Sequence, residues 1–449
     1  MDRSLIAKYD GRVPRYTSYP TAPHFHEGVD TETYARWLAA LPDEAPLSLY
    51  LHVPFCDTLC WFCGCHTTVV NRPEPVSAYL EVLLAEIDLV GAAIGGPRRV
   101  VHLHLGGGSP TMLKPAEVER LFAALRARFE LDPAGEIAIE VDPRGLSRET
   151  VEALGRAGLN RASIGVQALD PKVQAAVNRT QPFEATARAI EWLRAAGVRG
   201  VNMDLMYGLP HQTVDGTAET MRRILSLAPD RVALFGYAHV PWMKRHQRLI
   251  DEAALPDAES RWRQFEAAAA ELDAAGYVRI GLDHFARPDD GLARAWRAGR
   301  LRRNFQGYTD DQARALIGLG ASAIGELPQG YVQNIVRTPD YAEAVRNGRL
   351  ATARGVMLGD EDRLRRAVIE RLMCDMAVDL EAVCARHGAA PEVFTAELES
   401  LAPMRADGVV AVDGWRISVA EAARPLLRTV CAAFDAYLVA GETRHALAV

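Results

Sequence analysis

The chain has 449 residues, 49% of them hydrophobic and 24% charged, and carries a formal net charge of −7. That length exceeds one small domain and suits a catalytic domain with an appendage, and the acidic balance leaves no basic footprint for nucleic acid. Met1 to Phe25 holds no apolar signal-type run and no stretch is apolar enough to cross a bilayer, so a cytoplasmic chain with no membrane span is expected.

The chain opens with a polar arm, Tyr9 to Phe25, in which Pro14, Pro20 and Pro23 forbid a regular helix. Tyr16, Tyr19, Phe25, Arg12 and Arg15 give it too many contact-forming groups for a disordered tail, and residues 1–45 are expected to form an arm and lid. A strand from Leu47 to Val53 leads into Cys56, Cys60, Cys63 and Cys65. The spacing CxxxCxxC lets three thiolates converge on one face of an iron–sulfur cubane and leaves one iron open. An open iron can chelate the amine and carboxylate of S-adenosylmethionine (SAM). With the aromatic Phe62 before the third cysteine, the loop resembles the radical SAM signature. A tetrahedral zinc site is the alternative for four clustered cysteines. The single residue between Cys63 and Cys65 is tight for two ligands on one ion, and Cys65 is read as a non-ligand. Cys374, Cys384 and Cys431 are scattered and read as packing residues kept reduced.

Strand and helix then alternate. Helix Val76 to Ala93 precedes strand Arg99 to Leu105, which ends in Gly106-Gly107-Gly108-Ser109-Pro110; helix Pro115 to Phe129 precedes strand Glu136 to Val141. Helix Ser147 to Ala157 precedes strand Arg161 to Val166, helix Phe183 to Ala196 precedes strand Gly200 to Met206, and helix Asp215 to Leu227 precedes strand Arg231 to Tyr237. Six such strands predict parallel pairing with right-handed crossovers, hence an α/β fold with a partial or full barrel over residues 46–345. The strand ends carry the cysteine loop, the glycine turn, Glu140, Gln167, Asp204 and Tyr237-Ala238-His239, and such ends converge on one mouth of a barrel. Further on, Asp360 to His387 is helical and Gly408 to Val419 is a hairpin about Asp413-Gly414. With a final helix they predict a mainly helical, winged-helix-like domain over 346–449, read as a lid or docking unit because its surroundings are not basic.

Nearly end to end, the chain resembles the oxygen-independent coproporphyrinogen III oxidases (dehydrogenases), radical SAM enzymes of heme biosynthesis. The resemblance is carried by Pro14 to Ala22, Cys56 to Cys65, Gly106 to Pro110, Ile139 to Pro143, Gly165 to Gln167 and Asn178 to Gln181. It continues through Asp204 to Pro210, Asp283 to Pro288, Arg303 to Tyr308 and Phe434 to Leu438. It implies a 4Fe–4S cluster on Cys56, Cys60 and Cys63, and a SAM space lined by Tyr50, Phe62, Gly107, Gly108, Ser109, Glu140, Gln167, Arg179, Asp204, Ala238 and Ile324. The family site is described as holding two SAM molecules. Phe305 and Gln306 are carried over, with Tyr50 and Glu140, as the reactive set. Ser109 departs from the usual threonine and keeps the hydroxyl. The chemistry is apt: glycines allow close backbone approach, Arg179 can fork onto a carboxylate, and Asp204 and Gln167 suit ribose hydroxyls.

The implied reaction is oxidative decarboxylation of two propionates of coproporphyrinogen III to vinyl groups, giving protoporphyrinogen IX. The implied partners are that tetrapyrrole and an electron donor such as a flavodoxin or ferredoxin, with the enzyme a monomer. Charge alone makes Arg12, Arg15 and Arg287 candidates for the substrate carboxylates. His52, His102, His104, His239 and His284 receive no role. The alternative is a heme-binding chaperone-like relative with the same barrel; that group is expected to lack Cys65, the proline-rich arm and the longer C-terminal unit present here.

Overall fold

The computed structural model describes residues 11–438 together with Leu5, Lys8 and Tyr9. Twelve strands form one sheet: β1 (Leu47–Val53), β2 (Arg99–Gly107), β3 (Glu130–Val141), β4 (Arg161–Gln167), β5 (Gly200–Tyr207), β6 (Arg231–Gly236), β7 (Val278–Ile280), β8 (His284–Ala286), β9 (Ala315–Leu319), β10 (Ile324–Leu327), β11 (Gly330–Asn334) and β12 (Thr352–Met357). Their spatial order is β12-β11-β10-β9-β1-β2-β3-β4-β5-β6-β8-β7. All six strands expected from the sequence pair in parallel, in chain order. A seventh, β9, joins them in parallel on the far side of β1. Antiparallel strands extend both edges, so the sheet is a partial barrel and does not close.

β1 is buried on both faces except at Tyr50, as an interior parallel strand must be. The connecting helices start and stop where their caps dictate. Ser147 accepts from Thr150 N ahead of helix Arg148–Ala157, which ends at left-handed Gly158, and Thr213 accepts from Gly216 N ahead of helix Val214–Leu225. Helices and strands share one apolar core running from Leu47 and Ile87 to Leu234 and Phe265. Among the described residues no helix is long and apolar enough to cross a membrane.

A second core lies beyond β12. Leu364, Val368 and Leu372 of helix Asp360–Asp375 pack on Ile417, Leu427 and Phe434. The long helix expected over 360–387 is broken: Met376 adopts a left-handed φ of 55°, Ala377–Asp379 becomes a strand, and helix Leu380–Arg386 follows. That strand pairs with Arg416–Val419, itself hairpinned to Val410–Asp413, which makes the wing a three-stranded sheet. Strand β12 lies past the expected boundary at 345 and is part of the large sheet. The arm packs into the second core, with Tyr16 and Tyr19 buried there.

Candidate active site

The cysteine loop closes on itself just after β1. Phe55–Cys56 pairs in parallel with Thr68–Val69. The loop's carbonyls are then tied down from outside. Asn178 Nδ2 donates to Leu59 O at 2.9 Å, Gln247 Nε2 to Phe62 O at 3.0 Å, His246 Nε2 to Cys63 O at 2.7 Å and Lys244 Nζ to Cys65 O at 3.1 Å. Lys244, His246 and Gln247 escaped the sequence reading, because an irregular segment after β6 offers no periodicity or motif to single them out.

Cys56, Cys60 and Cys63 line one cavity together with Gly107, Gly108, Ser109, Glu140, Gln167, Arg179, Asp204 and Phe62. Ser109 Oγ lies 3.8 Å from Cys56 Sγ, and Cys60 Sγ is met by Arg144 Nη2 at 3.3 Å and Arg179 Nη1 at 3.4 Å. Burial pushes the Cys56 thiol up to about 11, more than the Ser109 hydrogen bond offsets, and the neighbouring Cys63 and Cys60 add to the rise. Cys63 is drawn down to about 6, chiefly by the hydrogen bond from the Cys65 thiol. Cys65 itself is exposed.

Among the described residues, no three or more His, Cys, Asp or Glu side chains are set to hold a single metal ion. A structural zinc site needs four donors around one ion. A cubane takes each thiolate at a separate iron, so three thiols spread around one cavity, with guanidinium groups against one of them, suit a 4Fe–4S cluster.

The glycine turn fits tightly against the loop. Gly107 has a φ of 108°, and a Cβ there would meet the His52 ring at 2.6 Å; at Gly108 a Cβ would collide with the Phe55 backbone. Glu140 accepts from Gly107 N at 3.0 Å and lies 3.4 Å from His104 Nε2. Desolvation raises its pKa, but His104, the Gly107 N–H and His52 together outweigh this and hold the carboxyl below its ordinary value. Tyr50 stacks on His104 at 5.9 Å, and its hydroxyl is 3.0 Å from His52 Nδ1. His52 Nε2 faces His66 O at 3.0 Å, so Nε2 carries the proton and Nδ1 accepts from Tyr50. Asp204 accepts from Ser163 Oγ and Asn202 Nδ2, each at 2.8 Å, and desolvation keeps its carboxyl above the ordinary value. Gln167 ends β4 with a φ of 70°, a strained backbone of the kind that collects at ligand sites. Both terminal nitrogens of Arg179 are engaged within the chain, Nη1 with Asp142 at 3.2 Å and Cys60, and Nη2 with Gly165 O at 2.6 Å.

Glu140, Ser163 and Asp204 also line a central cavity that reaches Gln306. Phe235 is shared in turn by the central cavity and a third one, of about 360 Å³, which includes Ala238, Arg12 and Arg15. Ile324 and Phe305 stand apart, in a small apolar cluster with Phe25 and Tyr331. Arg287 does not line the third cavity; it faces Asp289 at 3.6 Å on the surface.

Residues 50–224 match the Radical SAM superfamily profile, and residues 358–426 match the HemN C-terminal domain. Profile and cysteine site together define a radical SAM protein. The chain is 55% identical over 450 residues to an oxygen-independent coproporphyrinogen III oxidase of Bradyrhizobium diazoefficiens, covering 100% of both. It is 48% identical to one of Paracoccus denitrificans, covering 98% of each. The solved structure of coproporphyrinogen III oxidase (HemN) from Escherichia coli, a radical SAM enzyme, superposes with a TM-score of 0.91 at 40% identity, over 97% of this chain and 99% of that one. The chain belongs to the oxygen-independent coproporphyrinogen III oxidase family.

Proposed function

We propose that the protein converts two propionate side chains of coproporphyrinogen III to vinyl groups, giving protoporphyrinogen IX. The observation that carries this is the shared cavity of Cys56, Cys60 and Cys63 with the Gly107–Ser109 turn, Glu140 and Asp204. When bound, a 4Fe–4S cluster with SAM supplies a 5′-deoxyadenosyl radical that takes a hydrogen atom from the substrate.

The chain's own work is to bind, orient and exclude. Cys56, Cys60 and Cys63 hold the cluster, and Arg144 and Arg179 donate to the Cys60 sulfur. Gly107 and Gly108 let backbone approach the methionine part of SAM, and Ser109 and Arg179 border it. Ionised Glu140 is an acceptor for an ammonium or a hydroxyl, and Asp204 and Gln167 suit ribose hydroxyls. The family resemblance gives Tyr50, Phe62, Ala238 and Ile324 to the SAM space and Phe305 and Gln306 to the reactive set. Of these, Phe62 lines the cluster cavity and Gln306 the central one, whereas Ala238 lines the third cavity and Ile324 and Phe305 stand apart. The arm, the barrel and the C-terminal unit keep water from the radical. Because β12 is paired in the sheet and the C-terminal profile begins at 358, we divide the chain into an arm and lid (1–45), a radical SAM unit (46–357) and a C-terminal unit from 358.

We also propose that an acidic electron carrier, such as a flavodoxin or ferredoxin, reduces the cluster. Exposed Trp242, Met243 and Leu249 lie beside exposed Arg245 and Arg248, on the segment that ties down the cysteine loop. An apolar patch edged with positive charge suits an acidic partner. We also propose that the enzyme acts as a monomer. Free cysteines throughout the described residues suit a reducing cytoplasm. The alternative of a heme-binding chaperone is not favoured, since the relatives matched over their whole length carry the oxidase name.

The test is an anaerobic assay of reconstituted protein with coproporphyrinogen III, SAM and a reductant, following protoporphyrinogen and 5′-deoxyadenosine. Iron uptake without either product would refute the reaction.

A further inference from the structure

We propose that the third cavity is a carboxylate-anchoring compartment, in which Arg15, Arg261, Arg303 and Arg428 hold tetrapyrrole propionates other than the one presented to the cluster. This rests on the reaction proposed above, and it assigns substrate-positioning residues that the cysteine site does not reveal.

Among the described residues, five arginines line this cavity against a single carboxylate, Asp283. They converge from separate parts of the chain: Arg12 and Arg15 from the arm, Arg261 from helix Ala258–Ala274, Arg303 from strand Arg302–Asn304 and Arg428 from helix Leu427–Ala432. Asp283 is already committed, since it accepts from His284 Nδ1 at 2.7 Å. Nε and Nη1 of Arg303 and Nε of Arg261 are buried without a hydrogen-bond partner. Buried donors ordinarily have partners, and buried guanidinium groups ordinarily have anions.

Among the described residues, none of the groups that hold Arg15, Arg261 and Arg303 in place is a carboxylate. Arg303 lies over the Tyr308 ring at 4.4 Å and Arg261 over Tyr207 at 5.9 Å. Arg15 Nη2 reaches Gly236 O at 3.4 Å, and Arg428 Nη1 donates to Val13 O at 3.2 Å. Aromatic faces and carbonyls orient a guanidinium without cancelling it. Burial draws the pKa of Arg428 down to about 10, and Arg15 adds like-charge repulsion. A polycarboxylate relieves both costs.

Position completes the case. The compartment meets the central cavity at Phe235, and the central cavity meets the cluster cavity at Glu140 and Asp204. A tetrapyrrole anchored by some of its propionates in the arginine compartment can extend another toward the cluster. Because Arg12 and Arg15 belong to the arm, the docked arm supplies part of the compartment's wall.

The test uses the full chain with its cluster reconstituted, and coproporphyrin III, the aromatic and non-reacting oxidised form, as a fluorescent probe beside its tetramethyl ester. Arg303→Gln and Arg261→Gln are expected to weaken binding of the acid by about tenfold or more, and to leave the ester unaffected. Arg15→Gln, in an exposed side chain whose loss does not threaten folding, is expected to do the same, with Arg15→Lys recovering part of the affinity. Added salt should weaken the wild type more than the variants. Equal affinity of the wild type for acid and ester would overturn the proposal, as would wild-type affinity for the acid in both Arg15→Gln and Arg303→Gln. These are binding measurements on the resting protein, so arginine-dependent binding without turnover would count against the reaction and support the compartment.

Discussion

The Arg179 guanidinium stands 3.4 Å from Cys60 Sγ, and the same Nη1 lies 3.2 Å from Asp142 Oδ2. One cation thus bridges a cluster thiol and a carboxylate at the end of β3, and Arg144 repeats the arrangement, with Nη2 at 3.3 Å from Cys60 and 2.6 Å from Asp142. The Cys60 sulfur is therefore met by two guanidinium groups before any iron arrives.

Arg179→Met should lower iron retention as well as SAM affinity. A hydrogen bond to a charged group is worth about 1.5–3 kcal/mol, so iron loss to a chelator should run roughly tenfold faster. Arg179→Lys should fall between, because an ammonium keeps the charge and loses the fork. Chelator-challenge kinetics equal to wild type in Arg179→Met would show that Arg144 alone suffices.

Cys65→Ser should keep its iron where Cys63→Ser loses it. Cys65 is exposed at the edge of the cluster cavity and meets Cys63 through its thiol and through its backbone N–H, 3.4 Å from Cys63 Sγ, and serine keeps both a hydrogen-bonding side chain and that N–H. Iron and sulfide analysis after identical reconstitution decides the matter. Equal loss in the two variants would make Cys65 a ligand.

Glu86 is 1% exposed and receives three neutral donors, Gly320 N at 2.6 Å, Asn334 Nδ2 at 2.6 Å and Tyr341 Oη at 2.7 Å. Burial lifts its carboxyl from the ordinary 4.5 to about 7, against the pull of those donors. The folded pKa is the higher one, so the group's contribution is full below pH 4.5 and is lost as pH rises through 7. The loss amounts to about 3 kcal/mol, since each unit is worth about 1.36 kcal/mol. Unfolding by urea at pH 5 and pH 7.5 should show a wild-type decline that Glu86→Gln lacks. A parallel decline in both proteins would locate the effect elsewhere.

The parallel strands were legible because each is long, apolar and separated by a helical period, and the cysteine loop because its spacing has few other uses. β9 was not, since five residues from Ala315 to Leu319 without a preceding amphipathic helix look like any buried segment. The break at Met376 escaped because a left-handed methionine has no sequence signal; tertiary packing overrides local preference there. Gln247 was invisible for another reason. A single amide that donates to Phe62 O and, at 3.3 Å, to Ala238 O gains its meaning only once the chain has brought those carbonyls together. The arginine compartment shows the same limit: charge singled out Arg12, Arg15 and Arg287, and the fold kept the first two, replacing the third by Arg261, Arg303 and Arg428.

The arm is tied into the second core, which changes what its removal should do. Tyr19 is 1% exposed, and its hydroxyl accepts from Ala436 N at 3.0 Å; the Tyr16 hydroxyl donates to Asp435 at 3.0 Å. Both rings lie among the side chains of the C-terminal core. Truncating a buried aromatic to alanine costs about 3–5 kcal/mol, so Tyr19→Ala should lower the thermal stability of the C-terminal unit and expose it to proteolysis. Tyr16→Phe, which removes only the hydroxyl and leaves Asp435 short of a donor, should cost about 1–3 kcal/mol. Deleting residues 1–21 should combine both effects while leaving the iron content intact, since none of the hydrogen bonds that tie the cysteine loop comes from the arm. Calorimetry with limited proteolysis reads the first consequence, and iron analysis the second. An unchanged melting profile in Tyr19→Ala would mean that the arm rests on the core without supporting it.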